Sequence, residues 1–223
     1  MKMKVLLLFT ISVNVFSLDV NGTMWGPEKG GHGYYLKFTT EKDFEFLYSG
    51  EGGGQSVLGT YTQNGNGIVL NTVTINDWGD LPAYSKQKSI KCEIQESDSL
   101  FSQYKIVGTG GLELWSSTHK PKNGDMRNLA GISVYAFQAH GKVTDNARVR
   151  EGPGLQYKYY SFSFEDFDEV LYALPKGYSV SVLGYSESMT IVDGLEKPWY
   201  YCVFRKNMWE EQYGWIWGGL INF

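Results

Sequence analysis

Histidine, cysteine and proline are scarce in this 223-residue chain, at three, two and six residues. His32, His119 and His140 stand far apart, and no Cys-x-x-Cys or His-x-x-His spacing occurs, so a zinc site has nothing to build from. Cys92 and Cys202 each sit in a plain strand-like run with no base beside them, which speaks against a nucleophile activated by a neighbour. The glycines from Gly50 to Gly54 are not followed by Gly-Lys-Ser/Thr, so they read as a flexible turn and not a phosphate cradle. Glu165, Asp166, Asp168 and Glu169 cluster without the glycine and alternating ligands of a calcium loop, and read as a solvated acidic hairpin tip. The expectation is a protein without metal or cofactor, and not an enzyme.

Positive charge is also in short supply. The formal net charge is -4, and neither half of the chain is basic: residues 18–140 and 141–223 each carry more acids than bases. Nucleic acid and anionic membrane both select clustered Lys and Arg, so neither is expected as a partner. Long apolar runs are limited to Val5–Phe16, preceded by Lys2 and Lys4 and followed by Ser17. That run is too short for a bilayer, which needs about 20 residues. With small residues at Val15 and Ser17 it has the pattern of a signal peptide over 1–17, so the protein is expected to be exported, to the periplasm or beyond. An exported chain can form a disulfide, but Cys202 shares its phase with Tyr200 and Phe204, so a bridge and a buried free thiol both stay open.

What the chain has in abundance is glycine, 27 residues, and aromatics, 16%. Both favour short strands and tight turns, and the fold class expected is all-β. Tyr34-Leu36-Phe38 and Phe44-Phe46-Tyr48 alternate around the polar turn Thr40–Asp43, and Val57–Tyr61 leads through Asn64-Gly65-Asn66-Gly67 into Ile68–Leu70. Each reads as a hairpin, the second with an Asn-Gly signal. Lys91–Gln95, Gln103–Val107, Leu112–Trp115 and Ile132–Phe137 are further strands. The early Trp25, the aromatic hairpins and Gly59-Thr60-Tyr61 before an Ile-Val-Leu strand resemble the lipocalin-like small barrels of exported bacterial proteins. That resemblance implies an antiparallel barrel over 18–140 able to carry a small apolar ligand.

The second half is organised around Asn146–Tyr157, NARVREGPGLQY, in which Ala147 and Val149 alternate with Arg148 and Arg150 before a Gly-Pro-Gly turn. After it come the turn LPKG at Leu174–Gly177, the strand WYYCVF at Trp199–Phe204 and GWIWGGLI from Gly214. In this order the pieces resemble a bacterial SH3-like domain over 141–223, with an insertion at Lys158–Ala173. The resemblance implies a small barrel with a groove lined by Tyr157, Trp199, Tyr213 and Trp215, recognising cell-wall peptide or glycan or an envelope protein partner. Of the 35 aromatics, 18 lie in this part, more than a core buried on one strand face needs, so some are expected on the surface. The whole reads as two small barrels divided at Ala139-His140-Gly141, forming a non-enzymatic binding protein. The alternative is a carrier of a small apolar ligand tethered by its second domain.

Overall fold

The computed structural model describes residues 17–49, 55–77, 81–163, 170–205 and 210–223. The signal-peptide reading, the Gly50–Gly54 turn and the acidic run 165–169 lie outside the described residues apart from Ser17. Strands form β1 (Met24–Gly26), β2 (Gly33–Phe38), β3 (Asp43–Ser49), β4 (Ser56–Asn64), β5 (Gly67–Asn76), β6 (Ser89–Glu96), β7 (Tyr104–Gly108), β8 (Leu112–Ser116), β9 (Met126–Leu129) and β10 (Ile132–Val143). They continue as β11 (Phe162–Ser163), β12 (Val170–Leu171), β13 (Ser179–Val192), β14 (Leu195–Arg205), β15 (Glu211–Trp217) and β16 (Ile221–Asn222). Two short 3-10 turns complete the set, and no α-helix occurs among the described residues. The fold is all-β.

Strands β1 to β8 close into an eight-stranded barrel in chain order. Its hairpins follow the alternation of the sequence: Leu36 and Phe38 on β2 and Phe44 and Phe46 on β3 are wholly buried, with Leu36 opposite Phe46 and Phe38 opposite Phe44. The β4–β5 hairpin turns on Gly65 at φ 58, a glycine at the first position of a two-residue loop, between the paired Asn64 and Gly67. Inside, large rings meet edge to face, Phe38 with Tyr61 at 4.7 Å and Phe44 with Phe46 at 5.7 Å. Trp25 is fully buried, and its indole N–H is satisfied by Thr23 Oγ at 2.7 Å. A methyl at Gly59 would lie 2.2 Å from the Asn71 carbonyl oxygen, and one at Gly108 2.9 Å from Cys92 Sγ, so the interior has little slack.

The C-terminal part is a curled half-barrel sheet in the order β15-β14-β13-β10-β16, with β9 paired to the first part of β10 and a separate β11–β12 hairpin. Strand β10 runs without a break through Ala139-His140-Gly141, and its Val134 and Ala136 are buried with Trp199 and Trp215. Beyond β9, β10 pairs with β13 from Val134 to Lys142, with a register shift between Ala136 and Ala139. By their packing the residues form two compact units, one of His32–Gln95 and Ile106–Leu114 with the residues up to Trp25, the other of Gly26–Gly31, Glu96–Lys105 and Trp115–Phe223.

Both faces of β14 and β15 are covered. Trp199 pairs with Trp217 and Tyr201 with Trp215 on one face, packed with Leu100, Phe101, Val134 and Ala136. Cys202, Phe204 and Ile216 point the other way, into a core with Val149, Val180 and Val182. A strand buried on both faces reads as a continuous apolar run, which is why WYYCVF does not alternate. Both cysteines are free, buried thiols.

Candidate functional site

The motif Asn146–Tyr157 is held on the sheet by backbone. Arg150 exchanges both main-chain hydrogen bonds with Trp215, at 2.8 and 2.9 Å, and Ala147 does the same with Leu174. Gly214 makes the first contact achievable: a methyl there would lie 2.4 Å from Val149 Cγ1 and 3.0 Å from the Arg150 carbonyl oxygen. The glycine of the Gly-Trp pair therefore lets the motif lie flat on β15. Gly152 has the same role for the loop, since the Tyr157 ring lies 2.4 Å from where its Cβ would stand.

Arg150 ties the remaining pieces together. Its Nη1 donates to the carbonyls of Leu155 at 3.0 Å and Tyr157 at 2.6 Å, fastening the Gly-Pro-Gly loop, and its guanidinium lies 5.9 Å from the rings of both Trp199 and Tyr159. Burial, and after it the charge of Arg148, lowers the pKa of this guanidinium from its ordinary value. Arg148 is exposed and stacks over Tyr159 at 4.7 Å. Tyr159 in turn meets Tyr172 edge to face at 6.4 Å.

The four residues expected to line a groove divide by burial. Trp199 and Trp215 are 1% and 2% exposed and belong to the core. Tyr213 is half-buried, its hydroxyl donating to Glu211 at 2.9 Å and its ring lying 4.6 Å under the Lys29 ammonium. Burial first, then the Glu211 carboxylate, raises its pKa. Tyr157 is exposed. Arg150 brings Tyr157, Trp199 and Trp215 together through its side chain and backbone, but only Tyr157 presents a ring to solvent. The residues that the sequence reading missed are Tyr159 and Tyr172, exposed at 43% and 59% beside a depression of about 420 Å³ lined by Asn146, Arg148, Leu171, Tyr172, Ala173 and Pro175. Both lie in the insertion. The signal available for Tyr159 is its place two residues after Tyr157, opposite the alternating arginines: Arg150 bridges to it across the Gly-Pro-Gly turn.

His140 Nδ1 lies 3.0 Å from Ser181 Oγ, yet among the described residues no carboxylate orients the imidazole. Ser116 Oγ, 2.8 Å from His119 Nδ1, is buried in its own turn, where it accepts from the backbone N–H groups of Thr118 and His119. Burial pushes the Cys92 thiol up to about 12 and raises that of Cys202 as well, away from the reactive thiolate. Among the described residues no three His, Cys, Asp or Glu side chains gather to hold a metal ion. No protein-family model, no curated protein and no solved structure matches the chain.

Proposed function

We propose that this is an exported, non-enzymatic binding protein of the bacterial cell envelope, whose half-barrel unit takes hold of cell-wall peptide or glycan. The observation that carries the reading is the exposed tyrosine surface, Tyr157, Tyr159 and Tyr172, with Arg148 stacked on its centre. Flat rings with a hydrogen-bonding tip suit sugar faces and peptide stems, and a rigid backbone behind them keeps the ordering cost of binding low. The apolar run after Lys2 and Lys4 supports export, and the order of motifs from Asn146 to Ile221 supports the SH3-like resemblance. The large buried rings inside the eight-stranded barrel support placing recognition here and not in that interior.

The test is retention of the mature protein on purified peptidoglycan. Tyr159→Ala and Tyr172→Ala, both at exposed positions, should each lower retention about tenfold or more, by analogy with aromatic anchors at interfaces. Binding should persist in moderate salt, because the unit is acidic overall and long-range attraction to an anionic polymer is not available to it. Unchanged retention in both variants would refute the assignment of this surface.

A further inference from the structure

The depression beside Tyr172 follows from the register of the motif strand. Ala147 and Leu174 pair antiparallel, exchange both main-chain hydrogen bonds and are wholly buried. Side chains alternate along a strand, so the residues flanking this pair, Asn146 opposite Pro175 and Arg148 opposite Ala173, project together from the outer face. Long polar side chains thus stand across from small apolar ones. The difference in height leaves the hollow of about 420 Å³, whose remaining walls are Leu171 and Tyr172. That volume lies within the range of small-molecule sites and is enough for the end of a peptide chain.

The floor of the hollow is apolar and its rim donates hydrogen bonds. Among the described residues that line it, Arg148 is the one with a charge. Its guanidinium stacks over Tyr159 at 4.7 Å, which covers one face and leaves the N–H edge open. Among the described residues that guanidinium makes no hydrogen bond and no ion pair, unlike Arg150, whose Nη1 is taken by the Leu155 and Tyr157 carbonyls. The side-chain amide of Asn146, on the same face, likewise makes no hydrogen bond among the described residues. Asp145, the acid next along the strand, accepts from the Asn146 backbone N–H and forms no ion pair with Arg148. A planar fork of donors held over a ring matches a carboxylate, whereas a polyphosphate chain is bound by several cations at once.

We infer, resting on the reading of this surface as the wall-binding one, that the hollow takes the free α-carboxylate at the end of a cell-wall peptide stem. Arg148 holds the carboxylate, Asn146 bonds the last amide, and the small apolar side chain of the terminal residue lies against Ala173 and Pro175. The charged contact is made at hydrogen-bond distance, well inside the screening length of about 8 Å at physiological ionic strength, so it is compatible with retention in moderate salt. The probes are N-acetyl-lysyl-D-alanyl-D-alanine with a free C-terminus and the same peptide as its C-terminal amide, titrated into the full mature chain and followed by NMR. The acid should bind about tenfold more tightly than the amide. Arg148→Gln, at an exposed position, should remove that preference by weakening the acid about tenfold while leaving the amide unchanged. Asn146→Asp, also exposed, should weaken the acid at least as much, because it places a like charge beside the carboxylate. The inference is overturned if neither peptide binds, if acid and amide bind alike, or if Arg148→Gln, still folded by circular dichroism, keeps the preference. Retention on peptidoglycan separates this from the broader reading: any of those outcomes with retention that Tyr159→Ala abolishes leaves the tyrosine surface standing without a carboxylate site, and absent retention refutes the surface itself.

Discussion

Strand β6 of the closed barrel and strand β15 of the half-barrel sheet bury their residues in opposite ways. Along β6 every second residue is inside, Ile90, Cys92 and Ile94, with Ser89, Lys91 and Glu93 exposed between them. Along β15 the last four residues, Gly214 to Trp217, are all buried. A closed barrel has one inside, so its strands alternate. The half-barrel sheet curls such that β14 and β15 serve two cores, and their sequence must be apolar on both sides. An aromatic surplus in such a strand is consumed by packing. It is not by itself a sign of a binding face, and the aromatic surface lies instead on the loop and insertion beside it.

The largest expected effect tests whether the second core is as real as the first. Trp215→Ala and Trp25→Ala, each removing a fully buried ring, should both cost about 3–5 kcal/mol in denaturant titrations. A loss below about 1 kcal/mol for Trp215→Ala would mean that its face of β15 is open and the contrast between the two sheets is void.

Next come the glycines where backbones touch. Gly214→Ala and Gly59→Ala force a methyl against Val149 and Arg150 in one case and against Asn71 and Phe44 in the other, and each should cost about 1–3 kcal/mol. Gly194→Ala, where nothing lies within 4 Å but φ is 80, should cost less, through backbone strain alone. Equal losses at all three would remove close approach as the cause.

A smaller effect is expected with pH. Burial, with lesser help from the charges of Tyr160 and Glu28, pushes the Tyr201 hydroxyl up to about 12 from an ordinary 10.0. Its folded-state pKa is raised, so its contribution to stability is complete below pH 10.0 and is lost as pH rises towards about 12. Melting temperature measured across that window should fall, and Tyr201→Phe should flatten the fall. An identical slope in the variant would assign it to other groups.

The smallest expected change is in stability at the tyrosine surface. Tyr159→Ala should move unfolding free energy by no more than about 0.5 kcal/mol, the value usual for exposed side chains, even while it weakens retention on peptidoglycan. A stability loss comparable to that of Trp215→Ala would make Tyr159 a structural residue.

Strands that alternate were legible from the sequence: β2, β3 and β4 and the start of β5 form where Tyr34–Phe38, Phe44–Tyr48, Val57–Tyr61 and Ile68–Leu70 alternate or carry a glycine turn. The hairpin of β13 and β14 was not, although Asp193-Gly194, at φ 51 and 80, is a strong turn signal. Ser186-Glu187-Ser188 interrupts the apolar pattern there, because the register shifts between Tyr185 and Met189. The site was half legible. Motif spacing led to the Gly-Pro-Gly loop, on which Tyr157 is exposed and which Arg150 fastens. Trp199 and Trp215 drew attention because one buried face per strand was assumed. Tyr172 gave no pattern at all: it lies at the opposite end of the insertion from Tyr159, the ring it meets.

The doubly covered strand also has a consequence for opening motions. Tyr201 and Cys202 are adjacent on β14, one facing each core, and their strand is flanked by β13 and β15 over most of its length. No partial opening that peels away a single layer frees their amide protons, because the other layer still holds the strand. Amide hydrogen exchange at Tyr201 and Cys202 is thus tied to disruption of both cores together, whereas the Asp193-Gly194 tip of the same hairpin, exposed on every side, exchanges by local fraying. One hairpin thus holds both slowly and quickly exchanging protons.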